Sequence, residues 1–230
     1  MSLVPERIRA LLFDLDGTLA DTDDVIVDQL AKRLRPVAFA LPNHDAHRMA
    51  RRLIMSGESP FNQLSAWLDR LYLDEVIGFV ADRIPTRASE TGGGHQRPIP
   101  GVRRLLQSLD GRYPMAVVTT RSERAAHAIL QQTDFRSFFP VVATARSTWR
   151  IKPHPAPVLW AARQLTVPPE DCLMIGDTTP DILAGRSAGA QTVGVLCGFG
   201  QAAELHRAGA DAVIASTADL ETLLDIPAIP

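Results

Sequence analysis

Six short runs rich in Val, Ile and Leu punctuate the chain, at residues 10–13, 115–118, 141–143, 172–175, 192–196 and 212–214. Each is apolar at successive positions rather than at alternate ones, which is the pattern of a strand buried on both faces. Between the later runs apolar residues recur at helical spacing. Val102, Leu105, Leu106 and Leu109 form one such stripe, Ala125, Ala128 and Ile129 a second, and Val158, Leu159, Ala162 and Leu165 a third. Strand and helix therefore alternate, and the pattern predicts an α/β fold with a doubly wound parallel sheet covered on both faces.

One stretch breaks the rhythm. Residues 20–94 carry no strand pattern but do carry helical ones, such as Ile26, Leu30 and Leu34, then Leu64, Trp67, Leu68 and Leu71. This predicts an α-helical domain inserted after the first strand, with the α/β core made of residues 1–19 and 95–230. Thr91-Gly92-Gly93-Gly94 closes the insertion as a hinge, and Pro98 and Pro100 stiffen the return to the core.

Composition narrows the function classes. The 230 residues are 46% hydrophobic and 22% charged, with a formal net charge of -2. That is ample for a packed core, and it provides no basic field to attract nucleic acid or an anionic membrane surface. Small molecules are the expected partners, and the chain is expected to be a monomer or a homodimer. No signal-peptide pattern opens the sequence, no apolar run is long enough to span a bilayer, and the two cysteines show no metal-ligand spacing. A cytoplasmic location is the expectation.

The chemistry concentrates at strand ends. Phe13-Asp14-Leu15-Asp16-Gly17-Thr18 takes an apolar strand straight into two carboxylates, and Ile175-Gly176-Asp177-Thr178-Thr179-Pro180-Asp181 delivers two more after another strand. In open parallel sheets ligands bind beyond the carboxyl ends of the strands. Asp-Gly-Thr is also ordinary turn chemistry, and Asp181 also suits the N-terminus of the helix that follows. If Asp14, Asp16 and Asp177 converge, each pair about 4 Å apart repels by roughly 4 kcal/mol at an effective dielectric near 20, so a cation is required. All the donors are oxygens, which favours a hard ion, Mg²⁺, over zinc. His44 and His47, one helical turn apart, have no further partners in the pattern, and His154 is read as a neighbour of Lys152. Thr119, at the end of the 115–118 run, offers a hydroxyl to a phosphoryl oxygen, and Lys152 in Lys152-Pro153-His154-Pro155 offers a cation. A strand-end threonine is also a common capping residue, and a lysine is commonly solvated.

In this order the segments resemble the haloacid dehalogenase superfamily, in particular its phosphoglycolate-phosphatase-like members with an α-helical cap on a Rossmann-like core. Asp14 to Thr18 look like the first motif, Thr119 the second, Lys152 the third and Gly176 to Asp181 the fourth. The resemblance implies that Asp14 is a nucleophile and that Asp16 protonates the leaving alcohol and then activates water. It further implies that Mg²⁺ is held by Asp14, the backbone carbonyl of Asp16 and Asp177, with Asp181 in support. Thr119 and Lys152 would bind phosphoryl oxygens, and the cap would close over a small phosphate ester. Asp16 argues against dehalogenases and phosphonate-cleaving members, which lack an acid there. Many relatives place Asn after the second-motif threonine, whereas this chain has Thr120 and Arg121. Arg121 either reaches an acidic leaving group or simply starts a surface helix. In the cap, Arg52, Ser56 and Gly57 fall where such domains dip a loop into the site.

The runner-up is a phosphomutase resembling β-phosphoglucomutase. Such mutases carry two adjacent acids in the fourth motif, whereas here three residues separate Asp177 from Asp181. A phospho-accepting signalling module is a more remote alternative, because such modules are about half this length and have no cap.

Overall fold

A computed structural model describes residues 3–21 and 96–226. The chain divides into two compact units, Met1–Ile26 with Gly94–Pro230, and Val27–Gly93. The cap residues Arg52, Ser56 and Gly57, the histidines at 44 and 47 and the glycine hinge all lie outside the described residues.

The first unit is built on a six-stranded sheet. In chain order its strands are β1 (Ala10–Phe13), β4 (Met115–Val118), β5 (Val141–Ala143), β6 (Cys172–Gly176), β7 (Gln191–Val195) and β8 (Ala212–Ile214). A separate two-stranded ribbon, β2 (Ala20–Asp21) with β3 (Arg97–Pro98), is antiparallel. The sheet order is β5-β4-β1-β6-β7-β8 and every pairing is parallel. β1 therefore lies in the middle, with Phe13 in register with Val117 on one side and Ile175 on the other.

Both faces of the sheet are covered, which explains the uninterrupted apolar runs. Leu11, Phe13, Val117, Leu173 and Ile175 join one core with the inner face of α1 (Val102–Leu109) and of α2 (Glu123–Gln132). Ala10, Leu12, Ala116, Val118 and Met174 face the other way, into α3 (Ala156–Gln164) and α4 (Thr179–Ala188). Successive residues of one strand thus serve two cores, and neither set can be polar. Two short helices, α5 (Ala202–Ala208) and α6 (Leu220–Leu223), complete the described α-helices.

Four local expectations need correction. In α2 the buried residues are Ala126, Ile129 and Leu130, while Ala128 is exposed. The absence of strand after residue 20 fails at its first two residues, where Ala20 and Asp21 pair with Pro98 and Arg97. Two residues are too few for any periodicity to register. The expected strand at 192–196 is shifted by one, because Leu196 has left the ladder and is 38% exposed. In α3 the buried stripe is Val158, Ala161 and Ala162, and Leu159 is turned outward. No described helix is long and apolar enough to cross a membrane.

Small residues let α4 settle closely on the sheet. A Cβ on Gly185 would lie 2.6 Å from Thr192 Cγ2 and 2.8 Å from Met174 Cβ, so the close approach depends on its absence. We expect Gly185→Leu to lower unfolding stability by about 1–3 kcal/mol through overpacking, whereas Leu183→Ala on the exposed side of the same helix changes it by about 0.5 kcal/mol or less. Urea midpoints of the two variants test this.

Candidate active site

The loops after β1, β4 and β6 meet at the carboxyl edge of the sheet, because these three strands are neighbours and run the same way. Asp14 continues β1, its N–H donating to the Ile175 carbonyl at 2.8 Å, so its side chain is fixed by the ladder itself. Gly17, with φ of 70°, turns the chain back, and its N–H donates to the Ala20 carbonyl. A positive φ there is what the Asp-Gly-Thr sequence permits.

Lys152 is the hub. Its ammonium donates to Asp14 Oδ1 at 2.5 Å, to Asp181 Oδ1 at 2.5 Å and to the Val118 carbonyl at 2.8 Å, and the residue is only 5% exposed. The three donors of the ammonium are thereby matched to three acceptors. Burial opposes its charge, yet Asp14 and Asp181 raise its pKa above the ordinary lysine value and keep it protonated. It is not a solvated lysine.

Asp181 is both a helix cap and a site residue. Its Oδ2 accepts from the Thr178 N–H at 3.0 Å and the Thr178 hydroxyl at 2.5 Å, closing a capping box at the start of α4, while Oδ1 serves Lys152. Gly176 makes room for it, since a Cβ there would collide with the Asp181 side chain. Asp177 is fully buried. Its Oδ2 accepts from the Phe199 N–H at 2.8 Å, and the Thr18 hydroxyl reaches Oδ1 at 3.4 Å.

Carboxylate oxygens of Asp14, Asp177 and Asp181 lie within 4.8 Å of one another. Burial pushes the Asp14 carboxyl up to about 7 against the pull of Lys152, and the charges of Asp181 and Asp16 add to the rise. Four carboxylates stand against the two cations Lys152 and Arg121. This buried, oxygen-only donor set fits a hard divalent cation.

Thr119 is buried, its N–H donating to the Ala143 carbonyl and its hydroxyl accepting from the Arg121 N–H at 3.1 Å. Thr120 is exposed. Arg121 does not start the helix, because Ser122 is the N-cap of α2. Instead its guanidinium grips Asp16, Nε donating to Oδ1 and Oδ2 at 2.9 and 2.7 Å and Nη2 to Oδ1 at 2.7 Å. Asp16 is therefore turned toward Arg121, and among the described residues only the other three carboxylates gather near Lys152. His154 accepts from the Ala156 N–H and packs beside Trp149.

Reading the sequence alone missed the segment after β7. A Cβ on Gly198 would collide with Asp177 Oδ2, and one on Gly200 with the Asp177 carbonyl. The Gly198-Phe199-Gly200 pattern directly after a buried strand was the available signal, because paired glycines at a strand end mark a close backbone approach.

A model of the haloacid dehalogenase-like hydrolases matches residues 11–195. The chain belongs to this hydrolase family. It is 32% identical over 198 residues to an N-acetylmuramic acid 6-phosphate phosphatase of Pseudomonas aeruginosa, covering 84% of each chain. It is 30% identical over 189 residues to the pyrophosphatase PpaX of Bacillus cereus, covering 82% of this chain and 83% of that one. A solved hydrolase from Pseudomonas syringae superposes with a TM-score of 0.69 at 29% identity, covering 94% of this chain and 98% of the other.

Two outcomes check the electrostatics. Lys152→Met should cost roughly 3–5 kcal/mol of stability, since it strips the cation from buried carboxylates. Without metal, the folded Asp14 carboxyl holds its proton up to about pH 7, while the unfolded one loses it near 3.8. The folded state thus binds more protons across that window, and stability falls as pH rises through it. In EDTA, urea midpoints at pH 4 and pH 7 should fall less for Asp14→Asn than for the unchanged protein.

Proposed function

We propose that this hydrolase is a Mg²⁺-dependent phosphatase that cleaves a small phosphate monoester through an aspartyl phosphate on Asp14. The enzyme is a phosphoric monoester hydrolase. The observation that carries the reading is the buried Lys152 bridging Asp14 and Asp181 beside Asp177, at the sheet edge where parallel α/β folds bind ligands.

The bound ion would be held by Asp14, Asp177 and the backbone carbonyl of Asp16, and it would neutralise charge on the phosphoryl oxygens. Lys152 engages Oδ1 of Asp14, leaving Oδ2 to attack phosphorus. As that bond forms, the bond from phosphorus to the ester oxygen breaks, and Asp16 gives its proton to the leaving oxygen. Asp16 then takes a proton from water, whose oxygen attacks phosphorus. The bond to Asp14 breaks, phosphate departs and Asp16 is again protonated. The Thr119 hydroxyl donates to the phosphoryl oxygens, and the Lys152 ammonium, its donors engaged by Asp14, Asp181 and the Val118 carbonyl, stabilises the charge that builds there through its field. The second unit, Val27–Gly93, is read as the helical cap, with Arg52, Ser56 and Gly57 proposed to contact the leaving group.

The names of the two relatives point to different substrates, a sugar phosphate ester and the anhydride pyrophosphate, so they support the reaction class rather than one substrate. Hydrolysis is favoured over a mutase because the fourth motif lacks the directly adjacent acid pair of the mutases: Thr178 follows Asp177, and the next acid, Asp181, is engaged by Lys152 and the helix cap.

Phosphate release from a panel of small phosphate esters should require Mg²⁺, stop in EDTA and fall by at least about a thousandfold in Asp14→Asn, the scale of losing a nucleophile that acts within a unit. Isomerisation of a sugar phosphate without phosphate release would overturn the reading.

A further inference from the structure

We infer that Arg121 is a specificity-determining residue that binds a negative charge carried by the leaving group, so that the substrate is a phosphate ester or anhydride with an anionic leaving group. This rests on the phosphatase reading above.

The backbone at Arg121 is pinned on both sides. Its N–H donates to Thr119 Oγ1, and its carbonyl accepts from the Ala145 N–H at 2.9 Å. The residue thus stands two positions beyond the threonine that would hold the phosphoryl group. From there the side chain crosses to the loop after β1, and the pair with Asp16 is largely sheltered, at 14% and 18% side-chain exposure.

A general acid must come within hydrogen-bond distance of the oxygen it protonates, about 2.6–3.2 Å. If Asp16 protonates the leaving oxygen, the leaving group is delivered next to Asp16. The guanidinium lies 2.7–2.9 Å from the same carboxylate, so it faces whatever the leaving oxygen carries. Lys152 is already committed to Asp14, Asp181 and the Val118 carbonyl. Arg121 is the remaining cation of the described site.

Its chemistry fits the task. A guanidinium has five N–H donors in a planar fork, and Asp16 engages only the Nε and Nη2 side. A carboxylate or phosphate on the leaving group can take the other edge of the fork, or replace Asp16 on the edge it now holds. Replacement frees the Asp16 carboxylate to take up a proton from solvent, which it then gives to the leaving oxygen of the correctly seated group. A neutral alcohol does neither. The favoured class is therefore a phosphate ester with a carboxylate near the bridging oxygen, or an anhydride whose leaving group is itself phosphate.

The test compares kcat/KM for charged and neutral leaving groups, with Mg²⁺ present, in the unchanged enzyme, Arg121→Gln and Arg121→Lys. Phosphoglycolate is set against ethyl phosphate for the carboxylate, and pyrophosphate against methyl phosphate for the phosphate. In Arg121→Gln the charged-to-neutral ratio should fall by roughly 10- to 100-fold in at least one pair, the scale of a lost charge-assisted hydrogen bond, and that pair identifies the anion. Arg121→Lys keeps the charge without the fork and should lose about tenfold in the same ratio, which carries the test if the glutamine variant does not fold. Equal losses on charged and neutral members would overturn the inference and leave Arg121 as a residue that only positions Asp16. If the unchanged enzyme hydrolyses only panel esters with neutral leaving groups, the inference alone is overturned; if it releases phosphate from no ester of the panel, the phosphatase reading and this inference fall together. Unchanged ratios in an active enzyme overturn only the inference.

Discussion

Like-charge repulsion at one edge of the sheet is the constraint on which the rest of this structure depends. Asp14, Asp177 and Asp181 bring carboxylate oxygens within 4.8 Å of one another in a buried setting, and Lys152 is the side chain that ties two of them together. Isolated, such charges would be expelled to water or neutralised. Here three adjacent parallel strands end at the same level, so the backbone fixes where the charges fall before any side-chain contact is made. The sheet withstands the repulsion because its strands are buried on both faces and carry two cores.

The site and the fold share atoms rather than lying side by side. One oxygen of Asp181 caps a helix and the other holds Lys152, so the start of α4 and the charge balance of the site are one arrangement. Gly176 lies against the Asp181 side chain, Gly198 against the Asp177 carboxylate and Gly200 against the Asp177 backbone carbonyl, each where a Cβ would collide. Family membership follows from this shared framework, whereas Arg121, proposed to choose the leaving group, hangs from it through its pair with Asp16.

Much was legible in the sequence because it was local. A strand buried on both faces must be apolar at nearly every position, so the six strands could be read from the runs at Ala10, Met115, Val141, Cys172, Thr192 and Ala212 to within a residue. The motifs around Asp14 and Asp177 could be read because an acid directly after such a run has little structural reason to be there. Lys152 and Thr119 were weaker signals, gaining weight only from their order along the chain. The ribbon of Ala20–Asp21 with Arg97–Pro98 left no trace, since two residues carry no period.

Pairings between distant segments were decided only by the tertiary structure. Sequence alone determined that Asp14, Asp16, Asp177 and Asp181 stand after buried strands, because hydrophobic patterning is a property of neighbouring residues. It did not determine that Arg121 turns away from the helix it precedes to grip Asp16, nor that the Phe199 amide closes on Asp177. Those contacts join loops from different strands, and which loops meet is set by the order in which the strands pack into the sheet.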